Sequence, residues 1–321
     1  MNSKNGITGK RIFITGGAGF IANKLIQELN SKNEITIFDN FVRDTFSSSI
    51  ISNKEKINVI EGDVLDLSAL TKAAEDTDIF IHAAAIAGID TVARDSIKTM
   101  RVNMIGTANA LEAAMKVGVR DRFVNFSTSE VFGTTAFKSK ESEVTTSGKA
   151  GEARWTYAVS KLAGEHLALA YFQNHALPVV NIRPFNVYGP GQTGEGALSI
   201  FINRALRNEQ IQIDGDGTQI RAWCYIDDFV EGLTMCIDNS SVVGESINLG
   251  NARATMTILG LANTVCRVLN SSSQITHVPP LSEDIAIRVP SVEKAKNLLG
   301  FQAKIDLEEG IRRTADWLSK K

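Results

Sequence analysis

The stretch Arg11-Ile12-Phe13-Ile14-Thr15-Gly16-Gly17-Ala18-Gly19-Phe20-Ile21-Ala22 runs an apolar, partly β-branched segment into a glycine-rich turn and then into apolar residues at helical spacing. A strand that turns on glycine into a helix is the first half of a βαβ unit. The same rhythm repeats outward. Strand-like runs at Arg11 to Thr15, Glu34 to Phe38, Asn58 to Ile60, Ile79 to His82, Arg122 to Ser127 and Val179 to Arg183 are separated by helical patterns at Ala22 to Asn30, Ser68 to Glu75, Val102 to Val117 and Tyr157 to Asn174. Alternation of this kind predicts an α/β, Rossmann-type doubly wound parallel sheet with helices on both faces.

Beyond Pro184 the alternation gives way to Gly-rich turns, short strands and helical patterns at Leu198 to Arg207, Ile226 to Ile237, Ile258 to Leu269 and Leu307 to Trp317. This predicts a dinucleotide-binding domain over 1–184 and a smaller C-terminal α/β substrate-binding lobe over 185–321, with some segments returning to the first domain. The polar stretch Thr134 to Gly151 reads as a mobile loop, and Ser47 to Ser49 as a surface loop.

The glycine turn carries a ligand-binding logic. Gly16 permits the tight turn, and Gly19 lets the backbone approach a pyrophosphate, whose charge is met by amide N–H groups and the positive helix end. The third position is Ala22, where glycine is usual. Asp39, about twenty residues on, is placed to accept hydrogen bonds from ribose hydroxyls, and its charge repels a 2′-phosphate, which favours NAD over NADP. Asp63 ends the third strand, where it can meet the adenine amino group. Ala83 and Ala84 follow His82 as small residues beside the cofactor, and His82 itself reads as structural. Phe20, Ile21, Asn40 and Val64, neighbours of these residues, complete the expected cofactor site.

The 321 residues are 43% hydrophobic and 22% charged, with formal net charge −2, ordinary values for a globular protein. No basic field is available for a phosphate backbone, so nucleic acid is not an expected partner. The polar start, Met1 to Arg11, lacks a signal-peptide core, and no run suits a membrane-spanning helix. Cys224, Cys236 and Cys266 are odd in number and lack CxxC spacing, which suits reduced thiols in a cytoplasm and no metal site.

Tyr157 and Lys161 stand four residues apart and so share a helix face. A neighbouring ammonium lowers the pKa of a phenol, as a tyrosine acting as general base requires. With the upstream dinucleotide pattern, the pair points to proton removal coupled to hydride transfer.

These motifs, with Ser127-Thr128-Ser129-Glu130-Val131-Phe132-Gly133, Arg183-Pro184-Phe185-Asn186-Val187-Tyr188-Gly189-Pro190, Gly215 to Arg221 and Tyr225-Ile226-Asp227-Asp228, resemble the extended short-chain dehydrogenases/reductases that act on nucleotide sugars. The resemblance spans nearly the whole chain. It implies that Tyr157 takes the proton of the sugar 4-hydroxyl while the C4 hydride passes to NAD, with Thr128 hydrogen-bonded to the same hydroxyl. The resulting 4-ketone opens epimerisation, elimination or decarboxylation. It also implies that Asn186 and Arg221 bind the diphosphate and nucleotide, that Tyr225 and Asp228 hold the lobe together, and that two chains dimerise through the helices over 102–117 and 157–174.

Three further features resemble UDP-glucuronate decarboxylases. Ser129 and Glu130 occupy positions where dehydratases and decarboxylases carry extra acid/base groups. Arg154, three residues before Tyr157, and Arg288 within Asp284 to Ser291 are arginines able to hold a substrate carboxylate, and Arg288 is equally suited to clamp a diphosphate. The match departs at Gly191-Gln192, where these decarboxylases usually carry an arginine. The expected partner is therefore a UDP-linked sugar, with UDP-glucuronate decarboxylation preferred. A 4-epimerase and a 4,6-dehydratase remain open, as does a non-catalytic NAD-binding protein.

Overall fold

The computed structural model describes residues 6–47, 49, 51, 54–280 and 284–320. Its first five strands are β1 (Arg11–Thr15), β2 (Glu34–Asp39), β3 (Asn58–Glu61), β4 (Ile79–His82) and β5 (Arg122–Phe126). They alternate with α1 (Phe20–Leu29), α2 (Leu67–Ala73), α3 (Ile89–Arg94), α4 (Ser96–Met100) and α5 (Gly106–Val117). Next come β6 (Thr135–Ser139), the long helix α6 (Ala153–His175), β7 (Val179–Pro184) and β8 (Val187–Tyr188). The remaining chain forms α7 (Ala197–Leu206), β9 (Ile211–Asp214), β10 (Ile220–Ala222), β11 (Cys224–Tyr225) and α8 (Ile226–Asp238). After these lie β12 (Glu245–Leu249), β13 (Thr255–Thr257), α9 (Ile258–Leu269), β14 (Ile275–Val278), β15 (Ile287–Pro290), α10 (Glu293–Leu299) and α11 (Leu307–Leu318).

The main sheet has the order β12-β7-β5-β4-β1-β2-β3, and every neighbouring pair in it is parallel. The chain therefore winds outward in two directions from the seam between β1 and β4. In open α/β sheets this switch point is where the carboxyl ends of strands leave a crevice for ligands. Strand β12, late in the sequence, returns to close the far edge beside β7.

Side-chain alternation gives the inner strands β1, β4, β5 and β7 two buried faces. On one, Phe13, Phe80 and Phe123 lie directly opposite one another in register. Ring centroids are 4.9 Å apart for Phe13 and Phe80 and 5.2 Å for Phe80 and Phe123, with Phe38 a further 6.0 Å from Phe13. This aromatic ladder packs beneath α2, α5 and α6. Isoleucines such as Ile12, Ile14, Ile37 and Ile81 point the other way, into the core shared with α1 and α8.

A second sheet, β13-β10-β15-β6, lies outside the doubly wound unit. Its register sets Arg221 opposite Arg288 and Arg288 opposite Ala136. Part of the Thr134 to Gly151 stretch, expected to be a mobile loop, is thus strand β6. Its polar composition hid an edge strand that pairs with β15, about 150 residues downstream. The helix expected over 102–117 is likewise interrupted: residues Arg101–Ile105 form a π turn before α5 begins. Helices α3, α4 and α10 were not anticipated, being five to seven residues long and too short for an amphipathic period to show.

Cys224, Cys236 and Cys266 are free thiols. Among the described residues no helix is long and apolar enough to cross a membrane. Residues 1–5 of the polar start, and Ser48 of the serine run, lie outside the described residues.

The ladder generates a stability test. Replacing Phe80, wholly buried between Phe13 and Phe123, with alanine is expected to cost about 3–5 kcal/mol in urea unfolding. Phe137→Ala, at an exposed site, should stay within about 0.5 kcal/mol. Equal effects would mean the ladder does not anchor the sheet.

Candidate active site

At the β1/β4 seam, Gly16 takes φ +70°, and a Cβ there would sit 2.5 Å from Ala84 N. A Cβ on Gly17 would lie equally close to the Ile37 side chain. The turn can therefore press against β2 and the end of β4 only with glycine at both positions. It is closed by Gly16 N–H donating to Phe38 O and Gly19 N–H to Gly16 O. Above it opens a cleft of about 570 Å³ whose walls include Gly16, Gly19, Phe20, Asp39, Asn40, Asp63, Val64, Ala83 and Ala84. Nine of the residues expected at the dinucleotide site are thus brought together, in a space suited to a sizeable ligand. Ile21 is not among them and packs against the core.

Asp39 accepts Ala18 N–H at 2.9 Å on one oxygen and Phe41 N–H at 2.8 Å on the other. This fixes the carboxylate at the cleft wall, and each oxygen keeps a lone pair for a hydroxyl. Asp63 caps its own turn by accepting from Leu65 N–H. Across the cleft mouth, the Glu195 carboxylate accepts from Asp90 N (3.0 Å), Thr91 N (3.2 Å) and Thr91 Oγ1 (2.7 Å), clipping the segment between β8 and α7 to the start of α3.

The second group of expected residues lies deeper. Thr128 ends the segment after β5, and its hydroxyl accepts Glu130 N–H at 3.1 Å, capping the short 3₁₀ turn Ser129–Phe132. Tyr157 and Lys161 project from α6, whose Arg154 occupies the first turn. Burial pushes the Tyr157 phenol up to about 12, with a hydrogen bond from Thr128 acting to lower it and the Glu130 charge to raise it. Burial of the phenolate is the largest influence, and Lys161, expected to lower the phenol together with the nicotinamide charge, is not among the groups that shift it here. Burial also brings Lys161 down to about 8, opposed by the Glu165 carboxylate one turn along. His82 is fully buried between Thr15 Oγ1 at 2.8 Å and Thr107 Oγ1 at 3.1 Å. Burial and then the Lys161 cation drive it to about 3, so it is a neutral structural residue.

Beside Tyr157 the described residues gather three arginines with the acids Glu130 and Asp284. Arg154 Nη1 donates to both Glu130 oxygens at 3.2 Å, and its Nη2 reaches Asp284 Oδ1 at 3.4 Å. Arg221 Nη2 donates to the same Asp284 oxygen at 3.2 Å. Arg288, only 1% exposed, donates to Ser129 Oγ (3.3 Å) and Gly133 O (2.6 Å), and lies 3.6 Å from Glu130. Burial lowers Arg288 to about 10, with Glu130 opposing that shift. Among the described residues the buried Arg288 Nε has no hydrogen-bond acceptor. The structure thus draws Ser129, Glu130, Arg154, Arg221 and Arg288 into one constellation. Asn186 stands apart: its Nδ2 donates to Ala222 O at 2.8 Å, and its backbone takes φ +38°, so it fastens β8 to the strand carrying Arg221. Asp228 holds the lobe by accepting Lys304 and Ile305 N–H.

Two contributors were missed in the sequence. Asn103, in the π turn, accepts Ile86 N–H at 2.8 Å and donates to Ile86 O and Ser160 Oγ, both at 3.0 Å. It ties the cleft wall to α6, and π turns often mark functional positions; helical periodicity carries no signal for one. Asp284 was quoted only as a flank of Arg288, though an acid four residues before an isolated arginine was a usable sign.

The family described as NAD dependent epimerase/dehydratase matches residues 12–250. The chain is 34% identical to UDP-N-acetyl-alpha-D-glucosaminuronate decarboxylase of Bacillus cytotoxicus, across 96% of this chain and 97% of that relative. It is 32% identical to UDP-glucuronic acid decarboxylase 3 of Arabidopsis thaliana, across 97% and 89%. Among solved structures, UDP-glucuronic acid 4-epimerase from Bacillus cereus, in complex with UDP-glucuronic acid and NAD, superposes with a TM-score of 0.87 at 28% identity, across 97% of this chain and 99% of that one.

The glycine turn yields a binding test. Gly16→Ala sets a Cβ against Ala84 in left-handed backbone and is expected to weaken NAD binding at least about tenfold by titration calorimetry. An unchanged Kd would show that the turn does not cradle the dinucleotide.

Proposed function

The chain belongs to the NAD-dependent epimerase/dehydratase family, and on that premise we propose that it decarboxylates a UDP-linked uronate through transient oxidation at C4. The observation that carries this reading is the buried cluster beside Tyr157. Three guanidinium groups, those of Arg154, Arg221 and Arg288, converge there with Glu130 and Asp284, and among the described residues the buried Arg288 Nε–H has no acceptor. Guanidinium groups so gathered are suited to orient a substrate carboxylate by charge-assisted hydrogen bonds, which a neutral hexose does not offer.

What NAD supplies when bound is a reversible hydride acceptor at C4; the glycine turn, Asp39 and the cleft walls are suited to hold it. The remaining work falls to side chains. Tyr157 takes the proton of the 4-hydroxyl, helped by the hydrogen bond from Thr128 and by the Lys161 cation. With a ketone at C4, the C6 carboxylate is β to a carbonyl. Cleavage of the C5–C6 bond releases CO₂ and leaves its electron pair on C5, delocalised into the C4 oxygen, where Thr128 and the Tyr157 hydroxyl can hydrogen-bond the developing charge. Arg288 and Arg154 orient the carboxylate, Arg221 and Asn186 hold the diphosphate end, and Ser129 and Glu130 are placed to manage the proton that C5 must receive.

Two relatives at 32–34% identity bear names of uronate decarboxylases, which supports the assignment, and the UDP-glucuronic acid 4-epimerase likeness keeps epimerisation of the same sugar as the rival outcome. Exposed Ile97, Met104, Ile105 and Val159 on α4, the π turn and α6 support a homodimer packed through this helical face. A cytoplasmic setting suits the free thiols.

Mass spectrometry of a nucleotide-sugar panel tests the reaction. UDP-glucuronate or its 2-acetamido analogue should lose about 44 mass units, whereas a loss of about 18 or an unchanged mass would replace decarboxylation with dehydration or epimerisation. Variants divide the labour. Tyr157→Phe should bind NAD normally and lose oxidation by about 10²–10⁴-fold. Arg288→Ala should still form NADH from UDP-glucuronate but release CO₂ about 100-fold more slowly. If both variants decarboxylate at the wild-type rate, the roles assigned here fail.

A further inference from the structure

One charged group close to the reacting residues has no part in the scheme above. Glu165 lies on α6 one turn beyond Lys161 and is 3% exposed. A carboxylate withdrawn from water needs strong partners, and Glu165 draws them from strands β7 and β12 and from the residue that follows β5. Arg183 of β7 donates from Nε at 3.1 and 3.2 Å and from Nη2 at 2.5 Å. Ser127, the residue before Thr128, donates its hydroxyl at 2.6 Å, and Ser246 of β12 does so at 2.5 Å. Arg183 is itself held from behind, its Nη1 donating to Glu141 O and its guanidinium lying 4.9 Å over the Phe132 ring.

The geometry has two consequences. Ser127 and Thr128 are adjacent, and Lys161 and Glu165 are adjacent turns of one helix, so the Ser127–Glu165 bond sets how far along β5 the helix stands. The distance between the Thr128 hydroxyl and the Tyr157 phenol follows from that setting. The other consequence is electrostatic. Glu165 on its own helix is the charged group that bears on Lys161, Lys161 in turn bears on His82 of β4, Glu130 acts on the neighbouring Tyr157, and Arg183 pairs Glu165 from behind. His82 is neutral and Arg183 is a cation, while Asn103 and Ser160 carry no charge. Glu165 is the anion that opposes the loss of the Lys161 proton.

We infer that Glu165 is a positioning residue for the oxidation step: its carboxylate fixes the turn carrying Lys161 against the strand end carrying Thr128 and supplies the countercharge that keeps the Lys161 ammonium ionised. The inference rests on the roles given to Tyr157, Lys161 and Thr128, but not on decarboxylation as the outcome.

Two variants of the full chain separate position from charge. Glu165→Gln keeps the shape and removes the anion. Lysine side-chain NMR of the cofactor-free protein should then show the Lys161 titration, centred at about 8 in the wild type, moving to lower pH by about a tenfold loss of proton affinity. Glu165→Asp keeps the anion opposite Arg183 and draws it back from Ser127. Its Lys161 titration should stay in place while the first hydride transfer from UDP-glucuronate, followed as NADH absorbance, slows about tenfold at unchanged KM. A Lys161 titration unmoved in Glu165→Gln, or wild-type hydride transfer in Glu165→Asp, would overturn the inference. Glu165→Gln strands the Arg183 charge; if that variant does not fold, Glu165→Asp decides alone. Neither readout depends on CO₂ release, so a failure of the decarboxylase reading would be told apart from a failure of this one.

Discussion

Arg288 is almost wholly withdrawn from water and lies opposite Arg221 in the parallel register of β10 and β15. Like charges so placed repel, and each pays a desolvation cost, unless carboxylates stand between them. Glu130 and Asp284 do so, and Arg154 joins from the first turn of α6. The cluster thereby ties together three parts of the chain that are remote in sequence: the end of β5, helix α6 and the second sheet. The lobe, through β15 and β10, thus contributes charge directly to the site that the Rossmann-type unit builds.

The doubly wound sheet fixes where that can happen. Winding outward from β1 and β4 opens the dinucleotide cleft at the carboxyl ends of the strands, and β5, next in the sheet, delivers Thr128 at the same level. Helix α6 follows before β7, bringing Tyr157 and Lys161 across that end. The two halves of the site differ in character: the cleft is open and walled by small residues and Asp39, whereas the arginine cluster is buried and internally paired.

Much of this was legible in the residues. The glycine turn, Asp39, the Tyr157/Lys161 spacing and the segment Ser127 to Glu130 are local patterns, in which one stretch of chain sets its own geometry, and the structure gathers them as two neighbouring groups. Legibility failed where geometry depended on distant partners. Strand β6 looked like a loop because its pairing with β15 lies about 150 residues away, and the π turn at Asn103 leaves no periodic trace. Nor did the spacing of Lys161 reveal that desolvation would raise the Tyr157 phenol, since burial is a property of the packed molecule. Arg154 and Arg288 were read as carboxylate holders from resemblance; that they share Glu130 with one another became apparent only in three dimensions.

A diffraction structure of the complex with NAD and UDP-glucuronate is the most direct test of this account. The sugar carboxylate is expected within hydrogen-bonding distance of the Arg288 guanidinium, about 2.7–3.2 Å, with C4 facing Tyr157. A diphosphate seated on Arg288, with the carboxylate turned away from Arg154 and Arg288, would contradict it.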